Sequence, residues 1–286
     1  MNDLFGIDPQ SPSCMRDISD ILRLFSPSEG RFIADFPLEW TREFRMHLRS
    51  LSDLISMAAD EAIKKRLAHA VLPTSVRFRA GLPWEQNAEF LRAEVQKLIG
   101  PANSSSKAVV PIDKAFSDPD GFKDSSGALI GRTAESYVAA VRPILMLSRK
   151  VVLVDPFFRL TFRDLHGDAT TDRRRRVLML FMREAVRWRQ VEAFEIFYSP
   201  RKAAQDLDTQ WADLHRVADE ADASRLALKV HNLDTLNDDK QHARYFIGLH
   251  SALHFDHGFD TATDGSTNHV EWVSQTALSP LLNRFT

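Results

Sequence analysis

The sequence contains one cysteine, Cys14, in 286 residues. A lone cysteine excludes an intramolecular disulfide and any structural zinc site built from several thiolates. Apolar residues never continue for the about 18 positions that suggest a membrane-spanning helix, and the first residues lack the basic-then-apolar order of a secretory signal. We therefore expect a soluble, cytoplasmic protein that does not enter a membrane.

An excess of basic residues is also missing. The formal net charge is -2 and the isoelectric point is near 6.6, which excludes the strongly basic balance of a histone-like protein. Any contact with nucleic acid must therefore use a local basic patch. A hydrophobic content of 44% is enough for a substantial core, and the sequence shows no internal repeat or low-complexity tract.

The first hundred residues have the apolar spacing of helices. Apolar residues recur every three or four positions over residues 15–25 and 48–58, and Pro83 is placed to open another helix that ends at Gly100. This spacing predicts a helical N-terminal region over residues 1–100.

Turn-forming residues dominate the next segment. Asn103 precedes three serines, and residues 118–121 read Asp-Pro-Asp-Gly. We predict a linker or irregular insertion over residues 101–130.

From residue 131 onward, short apolar runs alternate with helical patterns, which predicts a domain over residues 131–286. The predicted elements are a helix at 133–147, a strand at 150–158, a helix at 172–189, a strand at 194–198, a helix at 201–221, a strand at 226–230, a hairpin of strands at 241–249 and 252–259, and a short helix at 278–284. Strands separated by helices of crossover length favour an α/β fold whose mainly parallel sheet is covered by helices.

The first strand of the hairpin carries the clearest chemical pattern. Alternation places Lys240, His242 and Arg244 on one face and Tyr245 on the other. An imidazole between two cations suits a phosphate, because the ring can act as nucleophile or proton carrier and the guanidinium offers paired donors. The alternative is that these charges form the solvated face of an edge strand, where they discourage pairing with another chain.

The order of elements, together with the Val-Asp-Pro-Phe sequence at residues 154–157 and the His-Ala-Arg-Tyr sequence at residues 242–245, resembles one lobe of the phospholipase D superfamily over about residues 130–286. The resemblance implies an α/β fold with a mixed sheet flanked by helices, here preceded by the mainly α-helical N-terminal region. Arg244 replaces the lysine of the family's motif, and Leu249 stands where an aspartate is expected. The chain is more similar to a divergent branch with a Gly-Phe-Asp turn, found here at residues 258–260. Members of such branches often occur as nucleases or in bacterial defence and mobile-element systems.

The resemblance also implies a mechanism without metal or cofactor. His242 would attack phosphorus, a second histidine would protonate the leaving oxygen, and Arg244 and Lys240 would hold the phosphate. One motif per chain implies a homodimer that brings two histidines together. Asn268 corresponds to a downstream element of the family's motif and is expected to contact substrate.

Three aspartates are expected to support these residues. In the family the position of Asp155 packs near the site, and Asp256 or Asp260 could replace the aspartate missing at Leu249. An imidazole needs such an acceptor to fix its tautomer.

A run of four arginines begins the helix predicted at 172–189. Cations at a helix N-terminus oppose the macrodipole, so Arg173 and Arg174 are candidates to bind a phosphate of the substrate. The alternative is pairing with acidic neighbours such as Asp164 and Asp168, or with a partner subunit.

Histidines 250, 254 and 257 raise the question of a metal. No carboxylate spacing around them completes a zinc pattern, and a regular strand would place His254 and His257 on opposite faces. We therefore expect no metal and no cofactor.

Two functions remain open from the sequence. The first is a metal-independent phosphodiesterase, most simply a nuclease that works as a homodimer, in the setting of anti-phage defence. The second is a catalytically inactive module that binds nucleic acid or a protein partner within a larger assembly.

Overall fold

The structure is a computed structural model that describes residues 3–65, 67–117, 127–160, 169–236, 243–262 and 264–285. The chain divides into two compact units, Met1–Ser126 and Gly127–Thr286. Each unit contains its own β-sheet, and the chain is mixed α/β. None of the helices in the described ranges is long and apolar enough to cross a membrane.

The first unit contains a parallel five-stranded sheet with the order β3-β2-β1-β4-β5. Its strands are β1 (Asp3–Ile7), β2 (Arg31–Ala34), β3 (Val71–Leu72), β4 (Lys97–Gly100) and β5 (Val109–Pro111). Its helices are α1 (Met15–Leu24), α2 (Trp40–Leu51), α3 (Asp53–Lys65), α4 (Trp84–Leu91) and α5 (Ile112–Ala115). This strand order is typical of doubly wound α/β folds.

The prediction of a mainly helical N-terminal region is therefore wrong, although helices lie at both segments where the apolar spacing is clearest. The strands that were missed have two to five residues and are largely buried. Apolar runs of this length show no alternation and cannot be told from buried helical segments. The helix expected to run from Pro83 to Gly100 ends at Leu91, and Leu98 lies in β4.

The predicted linker over residues 101–130 is also wrong for the part that is described. β5 pairs with β4 and is followed by α5, so this segment completes the first sheet. Residues 127–131 form the first strand of the second unit. These strands are short and are flanked by turn-forming residues. Their sequence therefore shows too little periodicity to distinguish them from a loop.

The second unit contains a mixed seven-stranded sheet with the order β6-β12-β11-β10-β7-β8-β9. Its strands are β6 (Gly127–Gly131), β7 (Lys150–Val154), β8 (Ala193–Tyr198), β9 (Ala227–Asn232), β10 (Arg244–Ile247), β11 (Ala252–Phe255) and β12 (Thr267–Trp272). Its helices are α6 (Ala134–Leu147), α7 (Ala169–Trp188), α8 (Pro200–Ala203), α9 (Leu207–Glu220) and α10 (Gln275–Phe285). β7, β8 and β9 are parallel, whereas β10, β11, β12 and β6 join in antiparallel pairs.

Most of the predicted elements of this unit are confirmed, but β6 and β12 were not predicted. The prediction of a mainly parallel sheet is wrong, because four of the six strand pairs are antiparallel. Thr133 caps α6 by accepting a hydrogen bond from the Ser136 amide at 3.1 Å, and β10 and β11 form the predicted antiparallel hairpin. The single helix expected at 201–221 is two helices, because Ala204 adopts a left-handed conformation and Asp206 caps a new helix.

Aromatic residues fill the core on one face of the second sheet. The rings of Phe181 and Phe246 lie 5.1 Å apart, and those of Phe255 and Phe259 lie 4.7 Å apart. The opposite face packs around α10, whose Phe285 ring contacts Phe197 at 5.1 Å. Burial of both faces explains why β7 is an uninterrupted apolar run.

Candidate functional site

Four chain segments meet at one edge of the second sheet. β7 and β11 run in the same direction and end at this edge, β6 ends there too, and β10 begins there between β7 and β11. The residues that follow β6, β7 and β11, with the first residue of β10 and one from α7, line a cavity of about 360 Å³. Its lining consists of Arg132, Asp155, Phe157, Arg174, Arg244, His257, Gly258 and Asp260.

Asp155 is the first residue after β7 and is completely buried. Its Oδ1 accepts a hydrogen bond from the Phe157 amide at 3.0 Å, while no described residue donates a hydrogen bond of standard geometry to Oδ2. Burial raises the pKa of this carboxyl above its ordinary value, and the nearby charge of Arg244 opposes that shift. Asp155 is therefore a completely buried acid beside Arg244, and the backbone amides of Phe157 and Phe259 partly offset the effect of burial on its pKa.

Arg244 begins β10 and lies beside Asp155. Its Nε is 3.5 Å from Asp155 Oδ1, and its Nη1 donates to the backbone oxygen of Asp256 at 2.9 Å. Tyr245, next along the strand, points to the opposite face and packs against His254. The alternation predicted for Arg244 and Tyr245 is thus confirmed.

Arg132 reaches the same cavity from the end of β6. Its Nη2 donates to Asp260 Oδ1 at 2.5 Å, and both side chains are mostly shielded from solvent. A partly buried pair of this kind costs desolvation, which the close contact offsets. Asp260 was expected to replace the aspartate missing at Leu249 as acceptor for an imidazole; among the described residues it pairs with Arg132 instead.

The arginine run at the start of α7 divides into separate roles. Arg174 lines the cavity, and its buried Nε donates no hydrogen bond to a described residue. Arg173 donates to the Thr261 oxygen at 3.3 Å and does not line the cavity. Arg175 pairs with Glu220 at 2.7 Å and Arg176 pairs with Glu135 at 3.0 Å. Only Arg174 of the four therefore faces the cavity.

A buried amide and a buried phenol fix the loop after β11. Asn268 Oδ1 accepts from the His257 amide at 3.0 Å, and its Nδ2 donates to the His257 oxygen and to the Tyr137 hydroxyl, both at 3.1 Å. That hydroxyl lies 3.2 Å from the carbonyl oxygens of both Gly258 and Asp260, and burial raises the pKa of Tyr137. Asn268 does not line the cavity, so its contribution is to position the loop rather than to contact substrate.

Gly258 allows this loop to approach the buried acid. A methyl group at Gly258 would lie 3.1 Å from Asp155 Oδ2 and 3.7 Å from Arg244 Nε. A side chain there would crowd the carboxylate of Asp155 and come into van der Waals contact with Arg244, so glycine keeps the floor of the cavity open.

The carboxylate of Asp256 faces away from the cavity. It lies 3.9 Å from His254 Nδ1 and 3.5 Å from His269 Nδ1, and it is exposed to solvent. Asp256 meets the cavity only through its backbone oxygen, which holds Arg244. Across the described ranges, no group of three or more histidine, cysteine, aspartate or glutamate side chains is arranged to hold a metal ion.

Two of the predicted catalytic residues, Lys240 and His242, lie outside the described residues. Their roles remain predictions. Leu249 lies in the turn between β10 and β11 and is 57% exposed.

Four residues of the site were not predicted. Arg132 and Phe157 line the cavity, Tyr137 braces it, and His257 was considered only as a metal ligand. β11 ends at Phe255, so His257 belongs to the loop and is not constrained by strand alternation. The sequence signal for this loop was the Gly-Phe-Asp turn that follows His257.

The cavity is suited to an anion. Three guanidinium groups face two carboxylates, which leaves an excess of one positive charge before His257 is counted. Guanidinium groups present paired donors that match the oxygens of a phosphate. The exposed imidazole of His257 lines the same cavity.

No protein-family model and no curated protein matches the chain. Among solved structures, the chain is similar to TrmBL2, an archaeal chromatin protein whose structure shows a novel mode of DNA binding, with a TM-score of 0.31 and 10% sequence identity. The alignment covers 87% of this chain and 67% of that one. At this TM-score the similarity supports no statement about the fold or the function of this chain.

Proposed function

We propose that the second unit binds a phosphodiester in the cavity lined by Arg132, Arg174 and Arg244. The observation that carries this proposal is the convergence of three arginines from separate elements on one cavity. An excess of one positive charge complements the single negative charge of a phosphodiester. A volume of about 360 Å³ is within the range of small-molecule sites and leaves room for the groups on either side of the phosphate.

The plainer explanation is that these arginines only satisfy structural carboxylates. It accounts well for Arg132, which pairs closely with Asp260. It accounts less well for Arg174, whose buried Nε donates no hydrogen bond to a described residue. Buried polar atoms are normally satisfied, so a buried guanidinium nitrogen left in this state favours a ligand or ordered water beside Arg174.

Arg174→Gln is expected to weaken binding of a dinucleoside monophosphate, which contains one phosphodiester, by about tenfold, because one charge-assisted hydrogen bond is lost. Binding would be measured by isothermal titration or by NMR titration. Arg175→Gln is the matched control, since this neighbour in α7 pairs with Glu220 and does not line the cavity. Equal affinities for the two variants would contradict the proposal.

A second candidate is cleavage of the bound phosphodiester. His257 lines the cavity beside three arginines, and the resemblance to the phospholipase D superfamily assigns His242 as nucleophile. In that mechanism the imidazole of His242 bonds to phosphorus, the alcohol leaves with a proton from a second histidine, and water then hydrolyses the phosphorus–nitrogen bond. A homodimer that pairs two copies of His242, and a role in bacterial defence, belong to this proposal.

His242→Ala is expected to abolish cleavage of DNA or RNA in excess chelator without lowering the affinity for the dinucleoside monophosphate by more than a few fold. The reason is that the nucleophile is removed while the three described arginines remain. Gel-based cleavage assays of wild type and variant provide the measurement. If the wild type cleaves no phosphodiester while still binding one, the protein is a binding module.

A further inference from the structure

Phe157 forms one wall of the cavity and is only half-buried. Its amide donates to Asp155 Oδ1, so the backbone that carries the ring is fixed to the buried acid. The ring is an apolar surface beside a cluster of charges. Such a ring is more useful for contacting an organic part of the ligand than for holding the phosphate itself.

Two cations share this ring. Arg244 Cζ and Lys202 Nζ each lie 5.5 Å from its centroid, so the two charges are no more than 11 Å apart. Arg244 belongs to the cavity, whereas Lys202 is not among the residues that line it. The positive charge therefore continues past Phe157 to a point outside the cavity.

The backbone of Lys202 is well fixed. Its amide donates to the Ser199 hydroxyl at 3.0 Å, where Ser199 caps α8. The Ser199 hydroxyl in turn donates to Asp234 Oδ1 at 2.6 Å. The backbone of Lys202 is thus held in place, and its ammonium group lies beside the Phe157 ring, where it can meet a second anionic group.

We infer that Phe157 and Lys202 form a second subsite, and that the ligand of this unit is a single-stranded nucleic acid. The inference rests on the proposed phosphodiester binding and adds a substrate class to it. One backbone phosphate occupies the cavity, the neighbouring nucleoside contacts Phe157, and a phosphate further along the strand meets Lys202. Aromatic surfaces beside positive charge are the usual means of binding single strands. An isolated headgroup carries a single phosphodiester and would reach only the cavity.

The test compares a dinucleoside monophosphate with an oligothymidine of about twelve nucleotides, a length within the range of single-strand sites. Lys202→Ala is expected to lower the affinity for the oligothymidine about fivefold at low salt and to reduce the salt dependence by the equivalent of about one phosphate contact. Its affinity for the dinucleoside monophosphate should stay unchanged. Fluorescence anisotropy over a range of salt concentrations gives both quantities for the strand.

Lys229→Ala is the matched control. Lys229 is an exposed lysine on β9 that lies 3.6 Å from Glu195 and does not line the cavity. This control should change neither affinity by more than twofold, which is the size of a general charge effect.

The outcomes separate the subsite from the cavity. Two results would overturn the second subsite and leave the cavity proposal standing. The first is that Lys202→Ala and the wild type bind oligothymidine with equal affinity. The second is that the wild type binds oligothymidine no more tightly than it binds the dinucleoside monophosphate. If Lys202→Ala lowers the affinity for both ligands equally, Lys202 acts on the cavity, and the second subsite is likewise overturned. If Arg174→Gln leaves the dinucleoside monophosphate unaffected, the cavity proposal itself fails.

Discussion

Replacing Asn268 with alanine is expected to lower the free energy of unfolding of the second unit by about 3 kcal/mol and to abolish phosphodiester binding. The completely buried amide makes three hydrogen bonds, two to the backbone of His257 and one to the hydroxyl of Tyr137. Alanine would leave these partners unpaired and would create a small cavity. The loop that carries Gly258 and Asp260 would then lose its support, and Arg132 would lose the fixed position of its carboxylate.

Hydrogen exchange of peptides from the second unit would measure the stability change, because a two-unit chain need not unfold in one step. Asn87→Ala is the matched control. Asn87 is an equally buried asparagine of the first unit that accepts from the Arg79 amide at 2.7 Å and does not line the cavity. It should lower the stability of the first unit and leave the dinucleoside monophosphate bound. Unchanged protection of the second unit in Asn268→Ala would refute the positioning role.

Replacing Asp155 with asparagine is expected to have the opposite effect on binding, with an increase in phosphodiester affinity of about tenfold at a pH at which the carboxyl of Asp155 is ionised. The ionised carboxylate repels the anion at short range, whereas an amide keeps the acceptor for the Phe157 N–H. The pKa of Asp155 is raised chiefly by burial, which means that burial outweighs the attraction of Arg244 for the charge. Loss of the buried charge should therefore not by itself lower the stability of the unit.

The same carboxyl gives the protein a defined response to pH. Because the pKa of Asp155 in the folded protein lies above its ordinary value, the folded state keeps this proton to a higher pH than the unfolded state. The contribution of Asp155 to stability is therefore largest below the ordinary pKa, and it falls as the pH rises toward the raised value. Phosphodiester affinity should rise over the same range as the pH falls, and Asp155→Asn should remove this part of the pH dependence.

Asp256→Asn is the control for Asp155→Asn. The carboxylate of Asp256 is exposed and faces His254 and His269 rather than the cavity, so its neutralisation should leave the affinity within about twofold of wild type. Titrations of all three proteins across the acidic range supply the measurement. Weaker binding by Asp155→Asn would mean that the carboxylate chiefly orients the arginines.

The sequence was most informative about the second unit, because its strands and helices are long enough to show their periods. Alternation along β10 correctly predicted that Arg244 and Tyr245 lie on opposite faces of the strand. The apolar run of β7 indicated a strand buried on both faces, with Asp155 directly after its end.

Other parts of the site depend on pairing between distant segments. Arg132 reaches Asp260, 128 residues away, only because β6 pairs with β12 at the edge of the sheet. No local sequence pattern around Arg132 predicts the pairing of β6 with β12. Arg174 lines the cavity whereas Arg175 pairs with Glu220. This difference also depends on contacts between distant segments, because it is set by where Glu220 lies in the fold.

The strands of the first unit were not predicted because they are short. β3 has two residues and β4 is buried over most of its length, so neither shows alternation, and the helices between the strands dominate the pattern. What identifies them is mutual pairing in a parallel sheet, which a single sequence does not display.

The most direct measurement of the central proposal is a crystal structure of the protein with a bound dinucleoside monophosphate. We predict that the phosphate lies in the cavity, with its oxygens within hydrogen-bond distance of at least two of Arg132, Arg174 and Arg244. A phosphate bound at any other surface, for example at the arginines of α2, with this cavity left unoccupied, would contradict the account.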